Sequence, residues 1–120
     1  MKEGDLKSRT KVFALRVVKL YVALPQSVEA QVLGKQLLRS GTSVGAHYRE
    51  AQRAKSNADF ISKIEGALQE LDEASDWLEL LEESGIFSAE RLSSLRAEAE
   101  ELTKILVTIA KQVKQREKED

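Results

Sequence analysis

The chain has 120 residues, 42% hydrophobic and 32% charged, enough for one domain with its own core and no staples. Cysteine is absent, which excludes disulfides, thiolate metal sites and cysteine nucleophiles, and fits a reducing compartment. The net charge of −1 hides a polarity: residues 1–55 carry eleven basic and four acidic side chains, a net +7, whereas residues 56–120 carry eight basic and sixteen acidic ones, a net −8.

Leu, Ala, Glu, Lys and Gln dominate, all good helix formers, and nothing alternates with the period of two that a half-buried strand needs. The first helix is predicted from about Asp5 to Ala23, where Phe13, Val17, Leu20 and Leu24 recur at helical spacing. Pro25 ends it, because proline disfavours helical geometry at the residue before it, and Ser27 can cap the next helix. That second helix is expected over Val28 to Ala54, with Leu33, Leu37, Ser40, Val44, His47, Ala51 and Ala54 on one stripe. Its middle, Ser40 to Ala46, is poor helix material, since each glycine costs about 1 kcal/mol relative to alanine. We expect the helix to continue through it, with Ser40, Gly41, Ser43 and Gly45 admitting the backbone of a neighbour.

Ser56 followed by Asp59 resembles a capping box, with aspartate in place of the usual glutamate. The third helix then runs to about Glu83 on the seam Phe60, Ile64, Ala67, Leu71, Ala74, Leu78 and Leu81, with Ile61, Leu68, Trp77 and Leu80 on its flanks, and Gly85 is a natural stop. Ser88 is positioned to cap the fourth helix, whose seam is Leu92, Leu95, Ala99, Leu102, Leu106, Ile109 and Val113. The charged tail from Glu117 to Asp120 is expected to fray. Long helices joined by short connections must run antiparallel, so the expected fold is all-α, a single up-down-up-down four-helix bundle over residues 1–120.

The chemistry the sequence carries is sparse. It has one histidine, no Glu-x-x-His pair, no HExxH and no glycine-rich phosphate loop, so no catalytic residue, metal site or cofactor is expected. His47 falls on the inner stripe of the second helix, where a hydrogen-bonded histidine in a core or an interface is more ordinary than a ligand. Glu70, Asp72, Glu73 and Asp76 form an acidic cluster. It can serve proton transfer, hold a hard cation or, more commonly, bridge to arginines of the second helix. Lys35, Arg39, Arg49, Arg53 and Lys55 can present a basic face that holds phosphates without reading sequence. Against this, the pI near 5.9 lies well below that of a dedicated nucleic-acid binder. The +7/−8 polarity has the same two readings, an anion-binding face or two halves packed through complementary charge, and the second is the more ordinary in a bundle. The N-terminus shows no signal-peptide core and no apolar run approaches the ~20 residues of a membrane span, so a soluble cytoplasmic protein is expected.

The run Gln36-Leu37-Leu38-Arg39-Ser40-Gly41-Thr42-Ser43-Val44-Gly45-Ala46-His47-Tyr48-Arg49-Glu50-Ala51 resembles the signature of bacterial four-helix-bundle proteins related to the 23S rRNA intervening-sequence protein. The stretches Asp59 to Ile64 and Glu70 to Leu81 are similar to two further blocks of that family, and the likeness spans nearly the whole chain. The resemblance implies a small bundle that assembles into a homopentamer around a central channel. It also implies kinship with the accessory variability protein of diversity-generating retroelements, a basic pentamer that binds nucleic acid and a reverse transcriptase. No catalytic residues carry over. An asparagine is usual in the family where His47 stands, and the weakly acidic total charge departs from the basic accessory protein.

Two functions are therefore expected to compete. One is a non-enzymatic oligomeric scaffold associating with RNA or DNA through Lys35, Arg39, Arg49, Arg53 and Lys55. The alternative is a protein–protein assembly module in which those arginines pair with Glu70, Glu73 and their neighbours. In either case Ser40, Gly41, Ser43, Gly45, His47, Glu70, Glu73 and Trp77 are expected to serve helix packing or an oligomer interface.

Overall fold

The computed structural model describes residues 3–119; Met1, Lys2 and Asp120, which enter the charge tally and the charged tail, lie outside them. Four helices succeed one another: α1 (Glu3–Val22), α2 (Val28–Gln52), α3 (Asn57–Glu83) and α4 (Ala89–Glu119). The bundle measures 54 × 22 × 20 Å, and no strand occurs among the described residues. Each helix packs on its sequence neighbours, α2 most extensively on α3, and α4 closes the ring more loosely onto α1. This is the antiparallel up-down-up-down arrangement that short connections require.

The helix ends obey local chemistry. After α1, Ala23 N donates to the carbonyls of Lys19 and Leu20 and Leu24 N donates to Tyr21 O, so the chain tightens and leaves at Pro25. Ser27 Oγ accepts from Ala30 N at 3.3 Å, and Ser56 Oγ accepts from Asp59 N at 3.0 Å. The Asp59 carboxylate accepts from Lys55 N at 3.3 Å, one residue earlier than in a full capping box, because aspartate is a methylene shorter than glutamate. Gly85, at φ +78°, supplies the left-handed residue after α3, and Ile86 N and Phe87 N both donate to Leu81 O. Ser88 Oγ accepts from Arg91 N at 3.1 Å to start α4. The tail expected to fray is helical through Glu119.

The predicted seams form most of the core, although Phe60 and Ile109 are only half-buried at its edge and Ala110 is buried beside Ile109. Phe13 and Val17 of α1, Leu37 and Val44 of α2, Ile64, Leu71 and Leu78 of α3, and Leu92, Leu102 and Leu106 of α4 are all essentially inaccessible. α2 is unbroken through Ser40 to Ala46, where Ser40, Thr42 and Ser43 donate their hydroxyls to carbonyls one turn back. Its buried stripe differs from the expected one. Ala30, Gly34, Gly41, Gly45 and Tyr48 point inward, while Leu33, His47 and Ala54 are half-buried. The stripe is rotated toward α1, because the glycines let that helix lie close. A methyl group placed on Gly41 would stand 2.8 Å from Cγ2 of Val17, and one on Gly45 3.2 Å from Oγ1 of Thr10.

Candidate nucleic-acid interface

α2 presents opposite faces of contrasting chemistry. Its inner face is small and apolar. On the outer side Val28, Val32, Lys35, Arg39, Thr42, Ala46, Arg49 and Arg53 recur at four- and three-residue steps, which places them on a single stripe. Lys35 and Arg53 are exposed, Arg49 is half-buried, and Lys55 continues in the turn after the helix. From Lys35 to Arg53 the stripe is about 27 Å long at 1.5 Å per residue.

The five predicted basic residues divide by partner. Arg39 is committed to α3: it donates to both carboxylate oxygens of Glu70 at 3.3 Å and forms an ion pair with Glu73. That pairing holds the Glu73 carboxyl below its ordinary range, and the Trp77 indole, donating to Glu73 Oε1 at 3.3 Å, acts in the same direction. Lys35, Arg49, Arg53 and Lys55 make no ion pair among the described residues. Bridging of the acidic cluster to the second helix therefore holds for Glu70 and Glu73 through Arg39. Asp72 and Asp76 lie exposed on α3 and make no ion pair among the described residues.

The charge polarity has the same explanation. Of the ten described basic residues in the first half, Arg9 and Arg39 pair with carboxylates. Arg9 grips Glu98 of α4 with two hydrogen bonds, at 2.6 and 2.9 Å, and is the main polar tie across the loose α1–α4 contact. Arg16 donates to Ser94 Oγ at 2.9 Å. Lys7, Lys11 and Lys19 on α1 and Lys35, Arg53 and Lys55 of α2 and its turn are exposed, and Arg49 is half-buried with its guanidinium folded back beside Gly45, without an ion pair among the described residues. The positive half is mostly a surface field, and complementary packing of the halves accounts for a minor share of it.

The remaining predicted positions sort clearly. Gly41 and Gly45 serve α1–α2 packing within the chain, Ser40 is fully buried, and Ser43 is half-exposed and bonded to Arg39 O. His47 lies over α3, its Nδ1 2.9 Å from where a Cβ on Gly66 would stand, and its Nε2 is 3.8 Å from Glu70. Nδ1 is buried without a hydrogen-bond partner, the one such side-chain atom among the described residues. His47, Arg39, Glu70, Glu73 and Trp77 thus form one polar ridge along the α2–α3 seam.

Three structural residues escape the sequence reading. Gly34 packs against Leu24 and Tyr21, Gly66 floors the histidine ring, and Tyr48 is 1% exposed. Gly34 had a signal, since it lies seven residues before Gly41 on the same face; Gly66 had none. Among the described residues no group of three or more His, Asp or Glu side chains is placed to hold a metal ion, and no helix is long and apolar enough to cross a membrane.

The chain matches the family model of the 23S rRNA-intervening sequence protein over residues 2–108. It belongs to that family. A crystal structure of a protein with unknown function from the S23 ribosomal protein family, from Bacteroides thetaiotaomicron VPI-5482, is 42% identical and superposes with a TM-score of 0.87. The match covers 92% of this chain and 99% of that one, so the family's bundle is shared almost end to end. Comparison with curated proteins gives no match.

Proposed function

We propose that this family member is a non-enzymatic, cytoplasmic scaffold that self-assembles as a homopentamer and associates with RNA or DNA through the outer stripe of α2. The observation that carries the reading is the pairing pattern. The chain holds twenty acidic groups against nineteen basic ones, yet Lys35, Arg49, Arg53 and Lys55 make no ion pair with a carboxylate among the described residues. Cations kept free in a chain with acid to spare are available to phosphates. Thr42 and Ala46 between them are short enough for a polynucleotide backbone to approach.

Retention of a generic RNA duplex should fall steeply between about 50 and 200 mM salt. Four neutralised phosphates on a duplex give a log–log slope of roughly −3.6. Replacing Lys35, Arg49 and Arg53 with glutamine should flatten that slope, and absence of retention at low salt would remove the reading.

A second reading, an assembly module with no nucleic-acid role, is favoured by a separate observation. Val12, Leu15, Val18 and Val22 on α1 and Val28 and Val32 on α2 are 39–78% exposed, whereas Leu80 is the one large hydrophobic of comparable exposure on α3 or α4 among the described residues. An apolar row of that kind suits contact with another protein. Kinship with the accessory variability protein would join the two readings, with the apolar row used for assembly and the basic stripe for nucleic acid.

A further inference from the structure

At one end of the bundle the close of α2, the start of α3 and the last turns of α4 border an open, shallow cavity of ≈ 410 Å³. The volume lies within the ~300–1,000 Å³ span of small-ligand sites. Its lining includes Ala51, Phe60 and Val113 on the apolar side and Gln52, Lys55 and Arg116 on the polar side. Neither Lys55 nor Arg116 makes an ion pair among the described residues, and both are exposed. Other aromatics are committed elsewhere: Phe13, Tyr48 and Phe87 are buried, Tyr21 donates to Gln31, and Trp77 donates to Glu73. Phe60 is half-buried and lines the cavity beside two free cations.

We propose that this cavity binds a nucleoside phosphate, either free or as an unpaired nucleotide of a strand, with the base against Phe60 and the phosphate between Lys55 and Arg116. The chemistry narrows the class. Two free cations suit the −1.5 to −2 charge of a phosphomonoester at neutral pH. One half-buried aromatic ring lining an open, shallow site is the group there that suits a flat heterocycle, and such stacking tolerates any base. An acyl chain would need a longer enclosed channel. The inference deepens the nucleic-acid reading and shares Lys55 with it, so its test must separate the two.

The probes are adenosine 5′-monophosphate, adenosine and inorganic phosphate, followed by heteronuclear NMR titration, and in parallel a single-stranded oligonucleotide and a blunt RNA duplex. The monophosphate should bind about tenfold more tightly than either fragment and shift the amides around Lys55, Phe60 and Val113. Arg116→Gln, at an exposed position near the end of α4, and Phe60→Leu should each weaken it about fivefold or more. Blunt-duplex binding should stay within about twofold in Phe60→Leu, because the α2 stripe supplies it. A single strand that binds with the same sensitivity to Phe60→Leu assigns the site to polynucleotide; sensitivity confined to the mononucleotide assigns it to the free ligand. The proposal is overturned if inorganic phosphate binds as well as the monophosphate, or if Arg116→Gln and Phe60→Leu leave monophosphate binding unchanged. Duplex binding that persists with its salt dependence in that event leaves the α2 stripe standing. Loss of duplex binding with retained monophosphate binding does the reverse.

Discussion

At Gly41 a missing methyl group decides how close two helices come. The atoms that a Cβ would meet, Cγ2, Cγ1 and Cβ of Val17 at 2.8, 3.0 and 3.2 Å, belong to a β-branched side chain held near one rotamer in its helix, so α1 itself would have to move. Gly41→Ala should therefore destabilise the fold by about 1–3 kcal/mol, in spite of the roughly 1 kcal/mol gained in helix propensity. Gly45→Ala, meeting the Thr10 hydroxyl and the mobile end of Arg49 at 3.2 Å, should be close to neutral, and urea unfolding of both variants checks the contrast. Residue chemistry also fixes an acid limb. Glu73 is held below its usual range first by its hydrogen bond from Arg39, so it contributes stability above the ordinary carboxylate value of 4.5 and loses it as pH falls through its lowered folded value. Circular dichroism against pH should show Arg39→Met losing helix at a higher pH than the parent, by a small margin because both groups are solvated. Coincident acid limbs would mean the pair is idle.

At the scale of the elements, helix starts were legible and the rotation of α2 was not. Ser27, Ser56 and Ser88 all accept from a backbone N–H three residues on, as their positions before apolar-periodic runs predict. Ser56→Ala should cost about 1 kcal/mol, read as a lowered denaturant midpoint at unchanged slope, since α3 has no other cap at that end. The seams of α3 and α4 were readable because large aliphatic side chains at helical spacing can only face a core. The stripe of α2 was misplaced toward Leu33, His47 and Ala54 for an equally physical reason. Glycine carries no apolar signal, so a face made of Gly34, Gly41 and Gly45 is invisible to hydrophobic periodicity and is revealed only by the helix that lies on it.

For the whole molecule, the salient asymmetry is between a carboxylate-rich half and a first half whose cations and valines look outward. Six of the seven exposed large hydrophobics among the described residues lie on α1 and α2, and burying them is the simplest driving force for the proposed assembly. Light scattering should give about five times the 13.4 kDa chain mass. Leu15→Lys with Val22→Lys should bring it down to one chain without loss of helix, since both side chains stand outside the core. A parent protein that is monomeric at micromolar concentration sinks the pentamer, and a double variant that stays assembled moves the interface elsewhere.

Composition and periodicity alone determined that this chain is an all-helical bundle, where its helices begin, and which aliphatic side chains make its core, because burial of regularly spaced apolar groups leaves few alternatives. Tertiary structure decided which charges are free. Arg39 and Arg49 are the same residue type on the same outer stripe, and only the approach of Glu70 and Glu73 across the α2–α3 seam separates the paired one from the unpaired one. It likewise decided that Lys55 and Arg116, sixty-one positions apart, share a cavity with Phe60. Pairing and enclosure depend on which helix faces lie side by side, and that is a property of the packed molecule.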